Sequence, residues 1–581
     1  MSERSRLHTW RSAGWFLFRA TAFRLAHALT QRPPARLEPG QDDVASGEWK
    51  VVAKSVSPLY VREGVSATER LWQLGKVENL RRAIRSIHGV TMPPGRMFSF
   101  WRQVGPPWAI RGFVVGRELR EGCLIPNVGG GLCQLSNALY DCALKAGCEV
   151  VERHRHTQVI PGSLAELDRD ATVFWNYVDL RFRADREMRI SARLTADSLE
   201  VTFFAASESK GDPAATDRRV ASGAIVENCA TCGIEGCIRH TGQGNAWKES
   251  VAVIVDRYWP EFDAWLFAQD RSRAHLAVPV RWSRWRRANY RWRDLGWAFV
   301  REIPLLALRR AWNSRRLAAQ GAARQRQLLA DDRRVATALV RQIPWRCSRA
   351  VVAQTLLPHL SEWLGGRSYG VFLTRLPFRL LHERLDALAI RHPESPTAAD
   401  FRVSLELVER EWDALERAEF FVTCHSELAE IWPDKTTLLS WKIPEVRSSP
   451  RRGKTVVFPA SGVARKGAYE LREAMRRLDL PLRIAGASQL EGKPDFWSGV
   501  RLDPPQTDDW LAEAGVVVLP AWVEHEPRRL LQAAAAGIPV VVTKSCGISH
   551  LPESLDITLI DHGDSAALER EIARILVQRV S

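Results

Sequence analysis

Short runs of apolar residues recur through the second half of the chain: VAVIVDRYW at 251–259, GKTVVFPA at 453–460 and VVVLP at 516–520. Such runs, with no polar alternation along them, predict strands buried on both faces, the situation of a parallel sheet covered by helices. The first run is expected to open an α/β domain and the second a final βαβ series. The front of the chain reads differently. Short strands and helices alternate from about residue 50 and end in ATVFWNYVDLRFR, MRISARLTA and LEVTFFAA. The expected fold class is therefore α/β multidomain, with a mixed α+β domain in front.

The chain has 581 residues, too many for a single core, so roughly two to four domains are expected. Two stretches read as linkers, LEPGQDDVASGEW after Pro33 and Pro34, and the polar, small-residue segment SESKGDPAATDRRVASG. The segments that result are 1–46, 47–208, 209–248, 249–446 and 447–581. A hydrophobic content of 45% with 26% charged residues excludes a disordered chain. The net charge of +16 and the 23 tryptophans suit an anionic membrane surface or a phosphate-bearing substrate. No nucleic-acid-binding motif accompanies them, so nucleic acid is not an expected partner. Near the N-terminus Trp15, Phe16, Phe23 and Leu29 alternate with Arg11, Arg19, Arg24 and Arg32, the pattern of an interfacial amphipathic helix or a soluble packing helix. The arginines interrupt any apolar core of signal-peptide or membrane-span length. The expected address is cytoplasmic, with peripheral contact on the inner face of the membrane.

The stretch VGGGLCQLSNALYDCALKAGCEVVERHRH, 128–156, places Cys133 behind three glycines at the start of a predicted helix. A thiol there feels the positive end of the helix dipole, which favours the thiolate, and an imidazole nearby completes a nucleophile and its base. The plain alternative is a turn at Gly129, Gly130 and Gly131 followed by a small packing residue. The blocks SPLYVREG, KVENLRRAIRSIHGV, PPGRMFSFWRQVG, RGFVVGRELREG, GGGLCQLSNALYDCALKAG, VERHRH and RDATVFWNYVDLRFR resemble the VanW family, in order. Some VanW-domain proteins act as peptidoglycan transpeptidases that use a cysteine. The resemblance implies Cys133 as nucleophile, His154 or His156 as base and Asp170 as the group that orients the imidazole. It implies a peptidoglycan-type substrate, bound or modified; in a cytoplasmic protein that substrate would be a precursor.

ENCATCGIEGCIRH sets Cys229, Cys232, Cys237 and His240 in a C-x2-C-x4-C-x2-H array. Two close pairs joined by a glycine-bearing loop suit a tetrahedral ion, structural zinc first. An iron–sulfur cluster or a redox CxxC pair are alternatives. The expectation is a small metal-binding insert that acts as a clasp.

Residues 453–546 carry a second resemblance. TVVFPASGVARKGAYELREAM, LPLRIAG and DDWLAEAGVVVLPAWVEHEPRRLLQAAAAGIPVVVT are similar to the donor domain of GT-B glycosyltransferases of the family-4 type. The resemblance implies a double Rossmann-like module whose acceptor half lies in 249–446 and whose substrate is a nucleotide sugar. Glu524 would sit near the transferred sugar or its diphosphate, and Lys466, helped by Arg465 or Arg528, would hold the diphosphate without a metal. Three departures stand out. Gln532 takes the place of a ribose-binding glutamate, Ser461 that of an arginine, and His525 that of a small glycine, which would narrow the pocket. His425 or Glu427 would face the cleft from the acceptor half. The Arg/Trp block from 281 would rest on anionic lipid, fitting an envelope glycan or a lipid-linked acceptor. Two other functions stay open, a non-catalytic scaffold for cell-wall precursors and a cysteine L,D-transpeptidase-like enzyme with a precursor-recognising rear domain.

Overall fold

The computed structural model describes residues 36–38, 49–206 and 249–577, with positions 18, 22, 227 and 228, and without 62–64, 121–122, 157–162, 176–177, 282–291, 293–295, 318–320, 446–452, 487–490, 492, 494 and 504–508. These residues separate into two compact units. The first takes in residues up to 250 together with 344–349 and 362–368, and the second takes in 251–343, 350–361 and 369–581. Cys229, Cys232, Cys237 and His240 lie outside the described residues, as do the aromatic and arginine positions named for the N-terminal helix. Among the described residues no group of three or more His, Cys, Asp or Glu is placed to hold a metal ion, and no helix is long and apolar enough to cross a membrane.

The first unit is built on an antiparallel sheet in which β1 (Lys50–Pro58), β2 (Val90–Met92), β8 (Met188–Leu194) and β9 (Ser198–Ala205) lie in the order β1-β9-β8-β2. β9 alternates half-buried and buried residues along its length, the mark of a strand with one face on the core. A second antiparallel sheet joins β3 (Met97–Ser99), β7 (Arg181–Arg183) and β6 (Glu149–Glu152). Within the second sheet Phe98 stacks on its cross-strand partner Phe182 at 4.7 Å, and between the sheets Phe182 approaches Phe203 at 5.8 Å. Ser66 caps helix α1 (Ala67–Ile84), its Oγ accepting from the Glu69 N–H at 3.2 Å. A hairpin of β4 (Val115–Arg120) and β5 (Cys123–Val128), extended by β10 (Glu227–Asn228), crosses α1 at Gly75, where a Cβ would lie 1.9 Å from the Val115 carbonyl oxygen. Only glycine permits that approach. Helix α2 (Cys133–Lys145) follows β5 and lies against β1 and β9.

The second unit holds two sheets. The larger has the order β13-β12-β11-β14-β15-β16-β17, made of β11 (Val251–Ile254), β12 (Ala274–Val278), β13 (Phe299–Glu302), β14 (Arg349–Ala353), β15 (Ser368–Phe372), β16 (Phe420–Thr423) and β17 (Thr436–Leu438). β12 runs parallel to β11 and β13, and β16 runs parallel to β15 and β17. The smaller sheet has the order β19-β18-β20-β21-β22, made of β18 (Thr455–Phe458), β19 (Leu482–Ile484), β20 (Ala514–Leu519), β21 (Val540–Thr543) and β22 (Ile557–Ile560). All four of its pairings are parallel. Every residue of β18, β20 and β21 is buried, as their unbroken apolar sequences require. Helices used below are α3 (Pro260–Phe267), α4 (Pro304–Arg316), α5 (Ala468–Leu478) and α6 (Arg528–Ala535). The strand order of the smaller sheet reverses between β18 and β20. Open parallel sheets of this kind bind ligands outside the carboxyl ends of the strands at such a point.

Candidate functional sites

In the first unit the three glycines turn the chain from β5 into α2. Gly129 and Gly131 adopt φ of 78° and 97°, and a Cβ on Gly130 would meet the backbone of Gly116 at 2.7 Å. Asn79 fixes the loop, its Nδ2 donating to the Gly130 carbonyl at 3.0 Å and to the Val114 carbonyl at 2.9 Å. Cys133 thus opens the helix, half-buried, with its thiol 3.6 Å from the Val173 carbonyl. The segment that carries Val173 is itself held to α2, since Asn137 accepts from the Ala171 N–H at 2.7 Å.

His156 and Asp170 are brought to the same place. The ring Nδ1 lies 2.6 Å from Asp170 Oδ1, and the His156 backbone N–H donates to the other carboxylate oxygen. Burial opposes protonation of the ring, but hydrogen bonds to Asp170 and to Cys133 outweigh it and lift the imidazolium to about 10. Because Asp170 takes Nδ1, Nε2 is left for the thiol. His154 is placed apart: its Nε2 faces Glu152 at 3.3 Å and its side chain is 38% exposed, so of the two histidines it is His156 that meets Asp170.

A cavity of about 520 Å³ opens over the thiol. Trp101, Trp108 and Trp175 line it together with Cys133, His156 and Lys76. Trp175 meets Trp101 edge-on at 5.4 Å and Trp108 at 6.5 Å. The indoles and Lys76 were not singled out from the sequence. Trp175 lies far along the sequence from Trp101 and Trp108, and α1 is buried nearly all round, so no amphipathic stripe marks its one inward lysine.

In the second unit a crevice of about 420 Å³ lies at the reversal point of the smaller sheet. Pro459, Ala460 and Ser461 reach it from the end of β18, and Glu524, Glu526 and Pro527 from the loop after β20. Gly467 places Lys466: it has φ 81°, and a Cβ there would lie 2.1 Å from the Pro520 carbonyl oxygen. Lys466 Nζ donates to Glu524 Oε2 and to the Val523 carbonyl, both at 2.9 Å. Burial would raise the Glu524 carboxyl, but Lys466 and the Glu526 N–H prevail and hold it below its usual range.

Three of the five expected donor-side residues, Lys466, Glu524 and Arg528, line this crevice. Arg528 is already paired, its guanidinium gripping Glu261 of α3 at 2.7 and 2.9 Å and lying 5.1 Å over Trp259. Arg465 departs from expectation, because its guanidinium is drawn 4.0 Å over the Phe401 ring. Gln532 departs as well. It is exposed one turn along α6 and is not among the lining residues. Arg529, passed over in the sequence, lines the crevice instead, where it donates to the Pro459 and Ala485 carbonyls. His525 is not a lining residue; its Nε2 accepts from the Leu376 N–H at 3.2 Å. Burial lowers its pKa well below the ordinary imidazole value, so it stays neutral. His425, fully buried, turns its Nε2 to the Glu524 carbonyl oxygen at 2.9 Å, and Glu427 is ion-paired with Arg384.

The second unit thus carries two Rossmann-like sheets with a cationic, carboxylate-bearing crevice, and the first carries a thiol, an imidazole and a carboxylate in line. Comparison with known proteins finds a family match in each unit. Residues 75–204 match the family described as VanW like protein, and residues 453–578 match the family described as glycosyl transferases group 1. The chain therefore joins a VanW-like domain to a group 1 glycosyltransferase domain, and the paired sheets are those of a GT-B module.

Two curated relatives align with the front. The Uncharacterized protein YoaR of Bacillus subtilis (strain 168) is 30% identical over 128 residues, covering 22% of this chain and 42% of that protein. The Vancomycin B-type resistance protein VanW of Enterococcus faecalis is 29% identical over 136 residues, covering 23% of this chain and 50% of that protein. The chain thus spans half or less of either relative. Among solved structures, a sucrose-phosphate synthase from Thermosynechococcus elongatus is 14% identical with a TM-score of 0.33. WaaG, a glycosyltransferase involved in lipopolysaccharide biosynthesis, is 15% identical with a TM-score of 0.32. Each alignment covers 57% of this chain and 91% of the other.

Proposed function

We propose that the second unit transfers a sugar from a nucleotide-sugar donor to a cell-envelope glycan or a lipid-linked acceptor. The observation that carries this reading is the Lys466–Glu524 pair, 2.9 Å apart in an accessible crevice at the reversal point of a parallel sheet. Breaking the anomeric C–O bond expels a nucleoside diphosphate, and the charge that builds on it needs a fixed cation, which Lys466 would supply. Thermal shift against UDP-, GDP- and dTDP-sugars tests the pocket, followed by turnover of whichever donor binds. Lys466→Ala is expected to lower kcat by about 100-fold or more. A pocket that shifts with no donor would make the protein a precursor-binding scaffold.

Peripheral contact with anionic lipid is part of this reading. On α4 the residues Leu305, Leu308 and Trp312 are 82%, 51% and 58% exposed, and Arg309, Arg315 and Arg316 are exposed beside them. An apolar stripe flanked by arginines on one helix face suits a headgroup boundary on the side of the membrane where nucleotide sugars are made.

A second activity is favoured by the alignment of Cys133, His156 and Asp170: acyl transfer on a peptidoglycan-type precursor. The thiolate would attack an amide carbonyl, forming a thioester as the C–N bond breaks, and His156 would give its proton to the departing amine. An acceptor amine would then attack the thioester, return a proton to His156 and release the thiolate. Trapping the thioester by mass spectrometry at Cys133 tests this; a wild-type protein that never acylates there rules it out.

A further inference from the structure

Lys76 stands beside the thiol for reasons the local packing makes plain. Its backbone and stem are clamped where the hairpin crosses α1. A Cβ on Gly116 would come within 2.9 Å of the Lys76 N, and a Cβ on Gly131 within 2.0 Å of its Cγ. The bare backbone at Gly131 therefore makes room for the lysine stem and directs the amine to the cavity that Cys133 lines.

At its tip Nζ donates to Gln134 Oε1 at 2.8 Å. That amide has a fixed orientation, because Gln134 Nε2 donates to Ser57 Oγ at 2.9 Å and to the Pro58 carbonyl at 2.8 Å. Gln134 must turn its oxygen to the lysine, and one acceptor satisfies one of three ammonium hydrogens.

What is missing is a counter-ion. Lys76 is 3% exposed, yet among the described residues no carboxylate pairs with it. The charge that acts on it is the like charge of Arg117, which is itself matched to Glu69 at 3.5 Å. Burial first, and Arg117 second, push the amine well below its ordinary value. A buried ammonium without a partner is costly, and an anion entering the cavity would relieve that cost.

We propose that Lys76 is the anchor for a carboxylate on the peptide substrate of Cys133. This rests on the acyl-transfer reading and adds the substrate feature that the site selects. Lys76 brings to this cavity an amine that has no counter-ion among the described residues. A carboxylate entering there would both charge and pair it, and one such amine matches the single charge of a peptide carboxylate better than a doubly charged phosphate. The carboxylate docks on Nζ, and the carbonyl to be attacked reaches the thiol in the same cavity.

Alkylation of Cys133 in the full chain, followed residue by residue by peptide mass mapping, separates the two ideas. In both reagents the thiolate displaces iodide, forming a C–S bond; iodoacetate carries a carboxylate and iodoacetamide does not. At Cys133 the iodoacetate-to-iodoacetamide rate ratio is expected to exceed that of free cysteine. Lys76→Met should lower the ratio about ten-fold while leaving the iodoacetamide rate within about two-fold. His156 draws the anion too, so only the part lost in Lys76→Met belongs to the lysine. An unchanged ratio overturns the anchor. An iodoacetamide rate no faster than that of free cysteine overturns the nucleophile reading instead. Should Lys76→Met fail to fold, protection of wild-type Cys133 from iodoacetamide by N-acetylalanine, and not by N-acetylalaninamide, carries the same decision. Equal protection by the two, or none by either, counts against the anchor.

Discussion

At Asp170 one carboxylate holds both the ring and the backbone of His156, so one substitution tests whether the imidazolium is the partner of the thiol. With its partners the imidazolium persists to about 10, against an ordinary value of 6.5. The folded-state value is raised, so the stability this group adds is complete below pH 6.5 and is lost as pH rises through about 10. Asp170→Asn removes the main acceptor and lets burial prevail. At about pH 6.5 iodoacetamide labelling of Cys133 is then expected to slow about ten-fold or more relative to wild type. Identical labelling rates would deny Asp170 that role. That Cys133, a histidine and Asp170 would meet was legible in the sequence through its blocks that resemble the family. Which histidine would meet Asp170 was not: His154 and His156 lie two residues apart, and the outcome depends on where the distant Asp170 comes to rest. Lys76 was invisible for a different reason, since its meaning comes from a neutral glutamine and an absent carboxylate.

At the scale of elements the parallel strands were the readable part. Their sequences are apolar on both faces, and no other placement would satisfy them. Side chains on tight turns and short helices were harder. The Lys-Gly pair marked the turn before α5, but not that Arg465 would swing to Phe401 while Lys466 reached the crevice. On α6, Arg528 and Gln532 are one turn apart, yet only the first lies at the mouth; the second has moved beyond it and is exposed. Helix α4 offers a test of its own. Replacing Leu305 and Leu308 together by Glu should abolish flotation with phosphatidylglycerol vesicles and leave thermal stability within about 0.5 kcal/mol, since both side chains already face solvent. Undiminished flotation would assign lipid contact to another surface.

At the scale of the whole molecule, sequence order and compact units do not coincide. The first unit includes 344–349 and 362–368, which arrive only after the chain has begun the second. The contacts are specific: Arg81 Nε and NH2 donate to the Gly365 carbonyl at 3.0 and 2.7 Å, and Tyr60 donates to the Gly366 carbonyl at 2.6 Å. Arg81 is only 6% exposed. A fragment ending at residue 250 would lose both hydrogen bonds to Gly365 and leave Arg81 only its ion pair with Glu78, at a cost of about 1.5–3 kcal/mol. Such a fragment should melt well below the corresponding transition of the full chain in calorimetry; coincident transitions would show that the late segments are dispensable. Linear sequence could not reveal this arrangement, because the late segments sit within ordinary α/β sequence and carry no motif.

The grip of Glu261 on Arg528 has a consequence for anything that competes for the rear crevice. A phosphate that arrives there finds an occupied arginine and must displace one negative group to install another. Swapping like for like returns little electrostatic profit, so free phosphate and bare nucleotides gain small purchase. A ligand that relies on Arg528 must therefore bring complementary shape as well as charge.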